Sequence, residues 1–234
     1  MASFKEIGLR CGTDKITHHG YDRFYPRFLE DIRGTTDAVL EIGIETQASL
    51  NMWLDYFPNA FVYGIDIKME LDGARARVFR GDQSSTADLH AIHDQISHPI
   101  RFIIDDGSHI PEHQLSTFEY FFSQLLEPGG VYIIEDIETS YWARENIYGY
   151  ATNYGYMHPA SLIERVKPLV DTINREFLTP AAADNMVTRT SGFSNATRDM
   201  ISTMTFGQNC VIFTKKTVAE MAYLNRPYRF PSKL

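Results

Sequence analysis

Two stretches of this 234-residue sequence run from apolar residues straight into acids. RFIIDDGSHI (101–110) leads into Asp105 and Asp106, with His109 three residues further on. VYIIEDIETSYW (131–142) leads into Glu135 and Asp136. Carboxylates are hard oxygen donors. Clustered at a strand end, they suit a divalent cation such as Mg²⁺, which keeps coordination positions open for water or substrate. A helix cap or a solvated turn accounts for one such pair, whereas two pairs after two core strands point to a metal. An imidazole beside a metal-binding carboxylate suits a general base, because histidine exchanges its proton near neutral pH. His113, one helical turn later, has no such argument behind it.

These residues need elements to position them. AVLEIGI (38–44), FVYGIDI (61–67), ARVFRGD (76–82), RFIIDD (101–106) and VYIIED (131–136) read as strands. Between them lie helical segments. In SLNMWLDYF, residues Leu50, Trp53, Leu54 and Phe57 share one face. SSTADLHAIHDQI opens on cap residues. In PEHQLSTFEYFFSQLL, Leu115, Phe118, Phe122 and Leu125 form a stripe, Pro111 suits the first turn and EPGG ends the helix. Alternating strands and helices imply parallel βαβ units with right-handed crossovers. The expected fold is therefore α/β: a Rossmann-like, doubly wound, mostly parallel sheet. MISTMTF and NCVIFTKK, separated by GQ, suggest an antiparallel pair closing it at the C-terminal end. A helix from about residue 160 should kink or restart at Pro168.

In such sheets ligands bind beyond the carboxyl ends of the strands. Glu41 and Asp66 also stand at strand ends, so six acids share one rim and call for a positive partner. LEIGIETQASL (40–50) occupies the place of a nucleotide-binding glycine loop but keeps only Gly43 of the three glycines that dinucleotides require. That argues against NAD or FAD and less against a ligand without phosphate, such as S-adenosylmethionine. Asp66 is placed to accept hydrogen bonds from ribose hydroxyls. Asp82 and Gln83, in FRGDQSS, reach toward an adenine edge.

The formal net charge of −8 argues against a broad nucleic-acid footprint. Cys11 and Cys210 show no metal spacing and read as free thiols of a reducing compartment. No signal peptide and no apolar run of membrane-spanning length is present, so a cytoplasmic location with no membrane partner is expected.

With GTDK (12–15), LEIGI, GIDI, GDQ, IDDGSH and GGVYIIEDIETSYW in place, the chain resembles the class I S-adenosylmethionine-dependent methyltransferases. Within them it is similar to the metal-dependent sugar O-methyltransferases of antibiotic biosynthesis, and also to cephalosporin-hydroxylase-type methyltransferases. The motifs cover roughly residues 10–142. The resemblance implies that Asp106, Glu135 and Asp136 bind Mg²⁺ and that His109 is the base. It places Glu41 and Gly43 on the methionine side of S-adenosylmethionine, Asp66 at the ribose, Asp82 and Gln83 on the adenosine side, and Asp105 facing the sulfonium or amino group. It implies O-methylation of a small-molecule acceptor, a sugar or natural-product hydroxyl, by a homo-oligomer. The whole chain is expected to be one methyltransferase domain, with residues 1–36 as an N-terminal cap segment and residues 143–200 as an acceptor-side lid. In the lid, Tyr148, Tyr150, Tyr154 and Tyr156 offer faces for a sugar ring. A metal-dependent hydrolase would leave Asp66 and Asp82 unexplained. A non-catalytic S-adenosylmethionine-binding partner would leave His109 and the acids unexplained.

Overall fold

The computed structural model describes residues 1–143 and 152–222. The N-terminal segment folds first into two helices, α1 (Phe4–Cys11) and α2 (Asp14–Thr17). Ser3 caps α1 through a reciprocal box with Glu6, and Gly12 ends it in a left-handed conformation. A short helix, α3 (Pro26–Leu29), starts on its proline. The stretch CGTDKITHHGY (11–21) reads as loop-like from its residue types, yet α2 forms within it. The difference arises because Phe4, Ile7 and Ile16 are buried against the sheet, together with Tyr21, Tyr25 and Leu29.

β1 (Ala38–Ile42) is buried at all five positions, as a central parallel strand should be. α4 (Ala48–Tyr56) buries Leu50, Trp53 and Tyr56 beneath it, and β2 (Phe61–Asp66) follows. A two-residue strand, β3 (Leu71–Asp72), was not anticipated; at this length it carries no readable periodicity. β4 (Ala76–Arg80), α5 (Thr86–His93), β5 (Ile100–Asp105), α6 (Pro111–Gln124) and β6 (Leu126–Glu135) complete the alternation. The break at Pro168 is a restart: α7 (Leu162–Val166) ends before it and α8 (Leu169–Ile173) begins after it. α9 (Pro180–Arg189) and α10 (Asn195–Met200) come next, and then β7 (Ile201–Gly207), β8 (Cys210–Lys215) and α11 (Val218–Met221).

Among the described residues, eight strands form one sheet in the order β3-β4-β2-β1-β5-β6-β8-β7. β4, β2, β1, β5 and β6 are parallel; β3, β7 and β8 pair antiparallel. This is the doubly wound sheet with the antiparallel C-terminal pair that the sequence implied. Alternate residues of each central strand serve opposite faces. Leu40, Ile42 and Ile103 pack with Phe118, Phe121 and Phe122 on one side. Val39, Phe102 and Ile104 pack with Phe4, Trp53 and Phe57 on the other.

The order reverses between β1 and β5, which places the loops after these two strands against each other. Gly43, directly after β1, makes the approach possible. Its φ is +87°, and a Cβ there would lie 2.0 Å from the Asp106 carbonyl oxygen. Gly43→Ala is therefore expected to lower the melting temperature by about 4–20 °C, from a left-handed penalty of about 1–2 kcal/mol plus overpacking of about 1–3 kcal/mol. A thermal melt within 2 °C or so of the wild type would contradict this contact.

Candidate functional site

The carboxyl ends of β1, β2, β5 and β6 bring the expected acids to one rim. Asp106 follows β5, and its backbone N–H donates to the Ile42 carbonyl across the switch point, at 2.8 Å. Asp136 follows β6 with φ +51°, and His109 sits in the loop after β5 with φ +54°. Left-handed backbone at a non-glycine residue is costly and concentrates at functional sites. Asp106, His109 and Asp136 each offer one ligand atom, and these atoms lie within 4.8 Å of one another. His109 Nε2 is 3.7 Å from Asp136 Oδ2. Two carboxylates and one imidazole this close together are a donor set that fits a divalent cation.

Glu135, the third acid expected at the metal, points into the same cluster from the last position of β6. Its Oε1 accepts from the Tyr25 hydroxyl and its Oε2 from Lys15 Nζ at 2.6 Å. Asp136 Oδ1 accepts from the Tyr21 hydroxyl at 3.1 Å and from Asn209 Nδ2 at 2.9 Å, with His19 Nδ1 at 3.6 Å. Asn209 arrives from the two-residue turn between β7 and β8. Lys15 also donates to Asp106 Oδ2 at 2.6 Å and lies 3.6 Å from Glu41 Oε1. None of Lys15, His19, Tyr21, Tyr25 or Asn209 was singled out by the sequence. For the first four the signals were the GTDK motif, which ends on Lys15, and the density of polar and aromatic residues in GTDKITHHGYDRFY; Asn209 lies outside that stretch.

Burial sets the protonation of this cluster. Burial by itself would lower the Lys15 pKa, but Asp106, Glu135 and Glu41 together carry it well above the ordinary lysine value. Burial pushes the Glu135 carboxyl up, as do Asp106 and Asp136, against the pull of Lys15. Burial likewise raises Asp136, with Asp106 beside it. Asp106 is held below its usual range: burial opposes this, but Lys15 and His109 outweigh it. Glu41, fully buried and bonded to the Ser49 hydroxyl, is pushed up to about 7 by its desolvation.

The residues expected at the cofactor divide into two groups. Asp66, at the end of β2, accepts backbone N–H groups from Ile44 and Glu45 on one oxygen and from Lys68 and Met69 on the other. Burial would raise its pKa, but these four bonds hold it below the usual value. The carboxylate thus ties β2 to the loop after Gly43. In that loop Glu45 and Gln47 have φ of +46° and +65°. The backbone adopts the left-handed turns of a glycine loop at positions where this sequence carries side chains.

Asp105 and Gln83 face inward. Asp105 is fully buried and its desolvation raises its pKa to about 6. Both its oxygens accept from Gln83 Nε2, at 2.7 and 2.8 Å, while Gln83 Oε1 accepts from the Ser108 backbone N–H at 2.8 Å. Gln83 therefore braces the loop that carries His109. Asp82 Oδ1 accepts from the Ser84 backbone N–H and hydroxyl and so closes a turn at the end of β4. Of the lid tyrosines, Tyr148 and Tyr150 lie outside the described residues. Tyr154 donates its backbone N–H to the Trp142 carbonyl at 2.8 Å, and Tyr156 is exposed.

No protein-family model matches the chain. It is 39% identical over 145 residues to 8-demethyl-8-alpha-L-rhamnosyl tetracenomycin-C 2'-O-methyltransferase of Streptomyces olivaceus, covering 58% of this chain and 38% of that protein. It is 35% identical over 183 residues to L-olivosyl-oleandolide 3-O-methyltransferase of Streptomyces antibioticus, covering 73% of this chain and 45% of that protein. The chain thus spans less than half the length of these curated relatives. Among solved structures it superposes on MycE methyltransferase from the mycinamycin biosynthetic pathway, in complex with Mg, SAH and mycinamycin VI. That match has a TM-score of 0.77 and 27% identity, over 92% of this chain and 54% of the other. By its fold, its rim of acids and its sequence relatives, the chain is similar to S-adenosylmethionine-dependent sugar O-methyltransferases of antibiotic pathways.

Proposed function

We propose that this chain is a Mg²⁺-dependent O-methyltransferase that uses S-adenosylmethionine to methylate a hydroxyl of a sugar on a small natural product. The observation that carries the reading is the convergence of ligand atoms of Asp106, Asp136 and His109 within 4.8 Å beside the β1/β5 switch point, with Asp66 at the neighbouring strand end. Relatives described as sugar O-methyltransferases support the reaction class.

Asp106 and Asp136 would hold the ion, with Glu135 supplying further negative charge from β6. Asp66 and the loop from Gly43 to Gln47 would hold the nucleoside. When bound, S-adenosylmethionine supplies an electrophilic methyl group and Mg²⁺ lowers the pKa of the acceptor hydroxyl. His109 takes the hydroxyl proton at Nε2. The buried cluster fixes these groups in place, so positioning and electrostatics carry the rate and no covalent enzyme intermediate is needed. Residues 152–200, whose helices α7 and α8 contribute Leu162, Ile163, Val166 and Leu169 to the core beside α6, would form the cover on the acceptor side.

Methyl transfer from radiolabelled S-adenosylmethionine to a panel of glycosides tests the proposal. Label in at least one glycoside, dependent on protein and Mg²⁺, is expected. Release of free acid or free sugar with no label transferred would favour a hydrolase instead.

The cofactor part has its own test. Charge-assisted hydrogen bonds contribute about 1.5–3 kcal/mol each. Asp66→Ala is therefore expected to weaken S-adenosylhomocysteine binding at least about tenfold by calorimetry. An unchanged dissociation constant would place the ribose elsewhere.

A further inference from the structure

The acids of the site converge on one side chain from far away in the sequence. Lys15 is fully buried, delivered by α2, whose cap Thr13 accepts the Lys15 backbone N–H. Its ammonium reaches three strand ends at once: Glu41 in β1, Asp106 after β5 and Glu135 at the end of β6. Among the described residues, Glu41 Oε1, the most distant of the three, has no hydrogen-bond partner. A lysine serving only to anchor α2 would need one carboxylate. This one sits between Asp106 and Glu135, at 2.6 Å from each, where an ion shared by those two acids would also draw them together.

Charge balance gives the reason. Glu41, Asp106, Glu135 and Asp136 bring four carboxyl groups, up to four negative charges when all are ionised, into a largely buried volume. One divalent ion leaves part of that charge uncompensated, and without the ion the deficit is larger. Buried charge without a partner is strongly destabilising.

Resting on the metal-dependent reading above, we infer that Lys15 is a resident cation of the metal centre. It holds Asp106 and Glu135 together when no ion is bound, and it carries charge that a divalent ion leaves unmatched. Lys15 is a positioning residue: it acts through the carboxylates. Two consequences follow. Removing its charge makes the fold depend on the divalent ion, and removing one facing carboxylate with it relieves that dependence.

The experiment compares thermal melts of the full chain in EDTA and in millimolar Mn²⁺, with Mn²⁺ binding followed by electron paramagnetic resonance. Lys15→Met is expected to melt about 10 °C below wild type in EDTA, since losing one partner of a buried pair is strongly destabilising. Mn²⁺ should then raise its melting temperature several degrees more than it raises that of wild type. A lysine that only anchors α2 would lower both melts equally, and an Mn²⁺ gain no larger than in wild type overturns the inference. Should Lys15→Met fail to fold in EDTA, Lys15→Met/Glu135→Gln keeps the test. This double variant is expected to fold and to regain at least half of the lost melting temperature, and its failure to fold overturns the inference. A wild type that binds no Mn²⁺ brings down the metal-dependent reading, and this inference with it. A wild type that binds Mn²⁺, beside a Lys15→Met variant with no extra gain, removes the inference alone.

Discussion

EDTA is expected to abolish methyl transfer, and added Mg²⁺ to restore it in full. Asp106 and Asp136 each lie close to His109, and both neighbour the buried Glu135. Carboxylates packed this tightly raise one another's pKa unless a cation intervenes. Lys15 compensates Asp106 and Glu135 but does not hydrogen-bond Asp136, whose oxygens face Tyr21, Asn209, His19 and His109. Asp136 and His109 also hold left-handed backbone conformations, which cost stability and persist only where the surrounding structure imposes them. An acceptor hydroxyl in water is a poor nucleophile at neutral pH, and an ion held by Asp106 and Asp136 would contribute several kcal/mol toward its ionisation through its Lewis acidity. Without that contribution turnover should fall below detection. Methyl transfer in EDTA at the untreated rate would refute metal dependence. So would a Mn²⁺ anomalous peak bound away from Asp106 and Asp136.

His109→Ala is expected to lower kcat by about 10²–10⁴-fold, the range over which a positioned general base acts. The imidazole is nearly buried, at 8% exposure, in the loop that Gln83 braces through the Ser108 backbone. Its Nε2 faces Asp136, which would steady the ring as it gains a proton. The substitution should leave S-adenosylhomocysteine binding unchanged, because Asp66 and the loop after β1 lie on the neighbouring strand ends. Mn²⁺ affinity separates the two tasks open to this imidazole. An unchanged affinity with a fallen kcat fits a base. A tenfold or larger loss of Mn²⁺ affinity makes His109 a ligand, and another group must take the proton. Wild-type turnover would make the imidazole structural.

The local signals were enough for the frame of this protein. Five apolar runs separated by amphipathic stripes implied the parallel sheet, and each run became a strand within a few residues of where the pattern placed it. The acids at the ends of β5 and β6 were legible for the same reason. A strand end is a local property, and topology sends all parallel strand ends to one rim. A break between the last two apolar runs was legible at Gly207–Gln208, one residue before the turn at Gln208–Asn209, but the approach of Asn209 to Asp136 was not.

What only the tertiary structure decided is the company these acids keep. Lys15 and Glu135 are 120 residues apart, and no periodicity links them. Their pairing exists because α2 brings the Lys15 ammonium to the carboxyl ends of β1, β5 and β6, a site already crowded with carboxylates. Gln83 offered an amide suited to a base edge, yet in the fold it spans Asp105 and Ser108, because a buried carboxylate needs donors more than a solvated loop does. Glu45 and Gln47 show the same division. Their side chains spoke against a glycine loop, while their backbone adopts its left-handed turns, since the bonds to Asp66 and the packing of β1 on β5 fix the path of the chain. Composition and spacing determined where the chemistry could sit. Long-range packing determined which charges meet there.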